Sequence, residues 1–165
     1  MSYLGGHNVA ICTLGVGEPS KVSKEEFVKI DKTAVVDFAK RCKEAGVKHF
    51  EILSSVDANP RTKTIYLKIN GEINEELKKI EFERLSIFQP SLIISPNNRY
   101  GFSQGIMLKI APFLNTILIG SLKKYRGIKI EYLGKAMAFN ILTHKEGTEL
   151  LNWQDFIEIL NQKNA

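Results

Sequence analysis

No apolar stretch in this sequence is long enough to cross a bilayer, which takes about 20 consecutive apolar residues as a helix. Cysteine is nearly absent: Cys12 and Cys42 are the only two in 165 residues, without CxxC spacing and without a histidine close by in sequence. That argues against a disulfide scaffold and reads as a pair of reduced thiols in an intracellular protein. His7, His49 and His144 lack ligand-like spacing, so no metal site is expected. The opening "MSYLGGHN" has neither a basic n-region nor an apolar h-region, so no secretory signal is expected. There is no repeat and no low-complexity tract. No sign of charge dominates: 23 basic against 18 acidic residues leave a net charge of +5, with acids scattered among the lysines. The densest basic stretch, "KKYRGIK" (Lys123–Lys129), reads as a solvated turn before a strand rather than a phosphate or membrane patch. No nucleic-acid partner is expected.

What is present is ordinary globular material, 44% hydrophobic and 25% charged, enough for one domain spanning 1–165. "NVAICTL" (Asn8–Leu14) is a short apolar run of the kind buried on both faces of a parallel sheet. "SKEE" forms a capping box, Ser23 as N-cap and Glu26 three residues on. Phe27, Ile30, Ala34, Val35, Phe38 and Cys42 follow at helical spacing, and Gly46 suits a C-cap. "VKHFEILSS" predicts the next strand, and a loop rich in Asp, Asn and Pro leads to a helix from about Ile65 to Lys79. "RLSIFQPSLII" predicts a third strand broken by Pro90, and "GIMLKIAPFL" a helix ended or kinked by Pro112. "GIKIEYLGKAMAFNIL" predicts a short extended piece and then a helix; "TELLNW" a late strand; "QDFIEILNQ" a terminal helix. This alternation is the α/β rhythm, with parallel strands joined by right-handed helical crossovers.

Gly15-x-Gly17 after the first strand invites a dinucleotide reading, but Ser20 stands where a third glycine belongs and Pro19 interrupts the turn. The next strand ends in Ser54 and Ser55 rather than an acidic residue, with Asp57 too far on. The glycines read instead as a turn where another chain segment or a ligand approaches closely.

The stretch "SSVDANPRTKTIYLKIN" (Ser54–Asn70) outlines a Ser/Tyr/Lys reductase site, except that the residue four after Tyr66 is Asn70. Together with "GHNVAICTLG", "FVKIDKTAVVDFAKRCKEAGVKHFEILSSVDANP" and "YLKINGEINEELKKIEFERLSIFQPSLII", it resembles the Tat-interacting oxidoreductases of animals and their fungal mitochondrial relatives, from Gly6 to about Ile94. The resemblance implies an atypical short-chain dehydrogenase: a Rossmann-like parallel sheet, NADP as cofactor and a small-molecule carbonyl as substrate. It implies that this chain corresponds to the C-terminal half of that NAD(P)-binding fold plus a substrate-side segment. The strand–helix units carrying the pyrophosphate loop, roughly 70–90 residues, are then expected to be missing.

Residue by residue, the resemblance makes Tyr66 the proton donor and matches Ser54 and Ser55 to the family's serine pair. Leu14 and Gly15 line the cofactor, Ile93 lies at the nicotinamide side, and Arg99 matches a downstream arginine across a gap. Asn70 stands in the place of the catalytic lysine. Gln89 and Ser91 replace the arginine and glycine of an Arg-Pro-Gly. On a helix Tyr66 and Asn70 share a face, while Lys68, about 200° around the axis, points away and cannot substitute. An ammonium there would lower the tyrosine pKa from its usual ~10; asparagine brings no charge, though it could hydrogen-bond a ribose hydroxyl.

Three functional readings follow: an oxidoreductase relative of reduced or no activity, a non-catalytic interaction module (a pseudoenzyme), or a fragment of a longer NADP-binding oxidoreductase. The uncovered edge at Asn8–Leu14 suits self-association or a protein partner. The cytoplasm is the expected location, with the mitochondrial outer surface or the nucleus as the alternatives the resemblance offers.

Overall fold

The computed structural model describes residues 5–16, 22–95 and 115–162. These residues cluster into two compact units, Met1–Phe88 with His144–Leu150, and Gln89–Thr143 with Leu151–Ala165.

In the first unit, β1 (Val9–Cys12), β2 (His49–Leu53) and β3 (Arg84–Phe88) pair in parallel, and β6 (Gly147–Leu151) completes a four-stranded sheet in the order β1-β2-β3-β6. β6 runs the same way as β3: Gly147 N–H donates to Glu83 O at one end and Gln89 N–H to Leu151 O at the other. The expected α/β fold with a parallel sheet is what the chain adopts. The expected helix from Ser23 also forms, with Ser23 Oγ accepting Glu26 N–H at 3.1 Å. It ends in a Schellman turn, with Val47 N–H on Cys42 O, Gly46 N–H on Lys43 O, and Gly46 at φ +91°.

That helix is not uniform. It begins as α1 (Lys24–Phe27), widens into a π-helical segment (Val28–Ala34) and resumes as α2 (Val35–Glu44). The sequence pattern placed Ile30 and Ala34 on the inner face. Instead no residue of the π segment is buried, and the seam is Phe27, then Val35, Val36, Ala39 and Cys42. The wider turns shift the angular position of every later residue, which a 3.6-residue count does not anticipate.

The core lies between these helices, α3 (Ile65–Lys78) and one face of the sheet. Because strand side chains alternate, the register Phe50↔Leu85 and Ile52↔Ile87 puts four apolar side chains on that face. They pack with Phe27, Val35, Ala39, Cys42, Ile69, Ile73 and Leu77. Phe50 stacks on Phe82 at 5.0 Å. Both cysteines are free and buried here.

The opposite face of the same strands carries a buried polar network. Arg84 holds Glu149 Oε1 through Nε (2.9 Å) and Nη2 (2.6 Å), and Ser86 Oγ donates to the same oxygen at 2.6 Å. With its one proton committed there, Ser86 accepts from His49 Nε2 at 2.8 Å, which assigns the Nε2–H tautomer. Glu51 Oε1 lies 3.5 Å from that nitrogen.

In the second unit, β4 (Ile93–Ile94) and β5 (Ile128–Lys129) form a short parallel pair, and α4 (Ile130–Asn140) packs against α5 (Trp153–Gln162). The expected third strand is therefore two strands in different sheets, divided at Gln89–Leu92 around Pro90. A 3₁₀ turn, Gly120–Tyr125, takes in the first three residues of the basic stretch, and β5 its last two. The helix expected over "GIMLKIAPFL" lies outside the described residues.

The network sets an acid limb on stability. Burial and the Arg84 charge hold the His49 imidazole down to about 4 from an ordinary 6.5. The unfolded chain therefore takes up this proton first, and stability falls as pH drops from 6.5 towards 4. Burial pushes Glu149 up, but hydrogen bonds from Ser86 and Arg84 outweigh it and leave it below its ordinary 4.5, so its contribution is lost at lower pH still. Urea unfolding across pH should show both limbs; His49→Gln should flatten the upper one, and Glu149→Ala should cost on the order of 3–5 kcal/mol at neutral pH by removing the carboxylate that Arg84 and Ser86 hold.

Candidate functional site

The carboxyl ends of β1 and β2 lie side by side, since Cys12 is registered with Ile52. Ligands of parallel α/β sheets gather beyond such ends. Leu14 and Gly15 follow β1, and Leu14 is 52% exposed. Ser54 and Ser55 follow β2, and Ser54 N–H continues the ladder to Phe88 O at 2.7 Å. Ser54 Oγ is buried, with no hydrogen-bond partner among the described residues. Ser55 Oγ reaches only the adjacent Val56 O, at 3.4 Å. A buried hydroxyl left without a partner is uncommon in a settled core and suits a site awaiting a polar atom.

Tyr66 is the second residue of α3, 38% exposed, with its ring stacked against Phe27 at 6.3 Å. Asn70, one turn on, is 8% exposed and donates from Nδ2 to Tyr66 O at 2.9 Å. One of its two amide N–H groups is thus spent on its own helix, and the other N–H and Oδ1 remain for further partners. Lys68 is exposed, as its angular position on the helix requires. Leu14, Gly15, Ser54, Ser55, Tyr66 and Asn70 all belong to the first unit. Ile93 belongs to the second, in β4, half-buried and registered with Ile128. Arg99 lies outside the described residues.

The loop from Ser55 to Thr64 aims Tyr66. Asn59 N–H donates to Leu67 O at 3.0 Å, and Asn59 Oδ1 accepts Arg61 N–H at 2.8 Å, an Asx turn. This draws the loop so tightly over α3 that a Cβ on Gly71 would collide with the Asn59–Pro60 backbone. Glycine inside a helix costs about 1 kcal/mol relative to alanine, and that anomaly in "NGEI" was the sequence signal for this contact.

The sequence reading also passed over Asp31, in the π segment. Its Oδ2 accepts Val16 N–H at 3.0 Å, and burial raises its pKa above the ordinary carboxylate value against the effect of that bond. The next residue, Lys32, pairs with Glu72 of α3 at 2.7 Å and ties the π segment to the tyrosine helix. The start of α1 is a poor phosphate seat. Ser23 already occupies the Glu26 N–H, and Glu25 and Glu26 place two carboxylates in the first turn.

No family model matches the chain. It is 35% identical over 89 residues to Protein HTATIP2 of Rattus norvegicus, covering 54% of this chain and 36% of that protein. It is 30% identical over 112 residues to Protein FMP52-1, mitochondrial, of Scheffersomyces stipitis, covering 68% and 45%. With Protein FMP52, mitochondrial, of Meyerozyma guilliermondii it shares 28% identity over 87% of this chain and 61% of that one. The chain thus spans between about a third and three fifths of these relatives' lengths. Among solved structures, MoeE5 in complex with UDP-glucuronic acid and NAD superposes with TM-score 0.68 at 13% identity, over 90% of this chain and 57% of that one. A putative NAD-dependent epimerase/dehydratase from Bacillus halodurans gives 0.62 at 16% identity, over 94% and 69%. The resemblance read from the sequence is borne out by the HTATIP2 and FMP52 relatives, and the fold is Rossmann-like.

Gly71→Ala should therefore destabilise the first unit by about 1–3 kcal/mol, an overpacking cost, despite alanine's better helix propensity. Urea unfolding followed by circular dichroism measures it; an unchanged or raised midpoint would mean that the Asn59–Pro60 loop yields freely.

Proposed function

We propose that this chain belongs to the HTATIP2/FMP52 kind of oxidoreductase and carries the carbonyl side of an NAD(P)-dependent short-chain dehydrogenase-type site. The observation that supports it most is the buried Ser54 hydroxyl at the end of β2, which has no hydrogen-bond partner among the described residues, taken with Ser55, whose hydroxyl reaches only the adjacent Val56 O, and the part-exposed Tyr66 at the start of α3. In this reading the serine hydroxyls orient a carbonyl oxygen by hydrogen bonding, and the Tyr66 phenol gives that oxygen its proton. A bound NAD(P)H would supply the hydride to the carbonyl carbon, yielding the alcohol and NAD(P)+. Leu14, Gly15, Tyr66, Asn70, Ile93 and Arg99 are the residues assigned to the cofactor.

The anionic half of the dinucleotide fits poorly. The capped, acidic start of α1 repels a pyrophosphate, and no other described segment pairs a glycine-rich turn with a helix start. Asn70 brings no charge to assist Tyr66. Binding is therefore weak and activity reduced. NADH and NADPH titrated by fluorescence should give dissociation constants well above the micromolar range; a low-micromolar value would overturn this reading of the phosphate side. Asn70→Lys alone should not yield Tyr66-dependent oxidation of NADPH with aldehydes or ketones, because it places an ammonium in a buried position without building the phosphate cradle.

The interaction-module reading has one observation in its favour. β1 is an edge strand, with no described strand on its outer side, and Ile11 is 42% exposed. Val9–Cys12 contain no charge, proline or glycine to discourage pairing. A second copy of the chain is the proposed occupant. Light scattering across a dilution series should show concentration-dependent dimers that Ile11→Lys abolishes; a monomer at all concentrations removes this reading. The fungal relatives' names favour a mitochondrial location over the cytoplasm. No described helix is long and apolar enough to cross a membrane.

A further inference from the structure

Gly15 first drew attention as half of a possible phosphate-binding pair, yet its backbone is not in the left-handed region, so conformation does not require glycine there. Space does. A Cβ at position 15 would stand 3.0 Å from Asp31 Oδ1, while Oδ2 of the same carboxylate holds the next amide, Val16 N–H, at 3.0 Å. The carboxylate thus lies flat against two consecutive residues of the turn after β1. The neighbouring Lys32 does not compete for it, being committed to Glu72. The Val16 N–H, the kind of group a phosphate loop offers to an anion, is already occupied.

We propose that Asp31 is the positioning residue of the turn after β1: it clamps Leu14–Gly15–Val16 in the arrangement that receives the dinucleotide, and Gly15 is glycine because of this carboxylate rather than because of a phosphate. The inference rests on the dinucleotide reading above. The clamp itself does not. The π segment is what brings Asp31 there, on a helix whose other inward positions are apolar. Such wide turns often mark functional positions.

The test uses the full chain and the variants Asp31→Ala, Asp31→Asn, Gly15→Ala and the double variant Gly15→Ala/Asp31→Ala. Amide exchange of Val16, read by NMR, reports the clamp. Asp31→Ala should lose at least about tenfold in protection, the scale of one hydrogen bond to a charged acceptor. Asp31→Asn keeps an acceptor and should retain most of it. Gly15→Ala should lose protection when Asp31 is present and nothing further in the double variant, a non-additivity expected only of direct contact. Shifts of the Gly15 and Val16 resonances with millimolar NADH report positioning. They should weaken severalfold in Asp31→Ala and Gly15→Ala and recover in Asp31→Asn, with thermal midpoints recorded alongside. Unchanged Val16 exchange in Asp31→Ala overturns the clamp. Lost protection with unchanged NADH response overturns the positioning role and leaves a structural bond. No NADH response at Gly15 in the parent chain overturns positioning by removing the dinucleotide reading itself, whatever the exchange data show.

Discussion

The contact on which the sheet depends is the one between Arg84 and Glu149. β6 reaches its place beside β3 only after the chain has built most of the second unit, so no local preference holds it there. Two guanidinium hydrogen bonds and the Ser86 hydroxyl converge on one carboxylate oxygen, and His49 on β2 closes the relay. Three strands are thereby joined through side chains as well as through their ladders. Such a network is valuable only when complete, because each buried charge is costly once its partner is removed. It also fixes register: shifting β3 by one residue would exchange Arg84 and Ser86 for Leu85 and Ile87.

With the register set, one edge of the first unit gathers the chemistry. The helical face of the sheet is apolar and the other carries the buried polar network, but the strand ends carry glycine, serine and exposed leucine. Two helices are drawn towards that edge by specific contacts. Asp31 grips the turn after β1, Lys32 pairs with Glu72, and Phe27 stacks on Tyr66. Asn59 ties the intervening loop to α3 over Gly71. Position at the site is thus set by polar contacts between elements that the apolar core alone would leave loosely aligned.

In the proposed reading, Asn70 stands where the resemblance places a lysine. A lysine there would have to keep its charge against burial. Asparagine bonds to the Tyr66 carbonyl instead, which uses one of its two amide N–H groups and gives the phenol no cation.

Much of this was legible in sequence. Alternating apolar runs and helical seams marked β1, β2, α2, α3, α4 and α5, because burial imposes periods of 2 and 3.6 on any amphipathic element. Ser23–Glu26 and Gly46 marked helix ends through local hydrogen bonding, and the four-residue spacing put Tyr66 and Asn70 on one face. The sequence also carried the family resemblance on "HFEILSS" and the tyrosine segment. Only the tertiary structure decided the rest. It alone showed that Glu149 answers Arg84 from 65 residues away, that Val28–Ala34 widens into a π segment, that Pro90 divides strands of two sheets, and that Asp31 claims the space beside Gly15. The reason is common to all four. Each depends on which distant group ends up within hydrogen-bonding or van der Waals distance, and periodicity records which side of an element is buried but not what it is buried against.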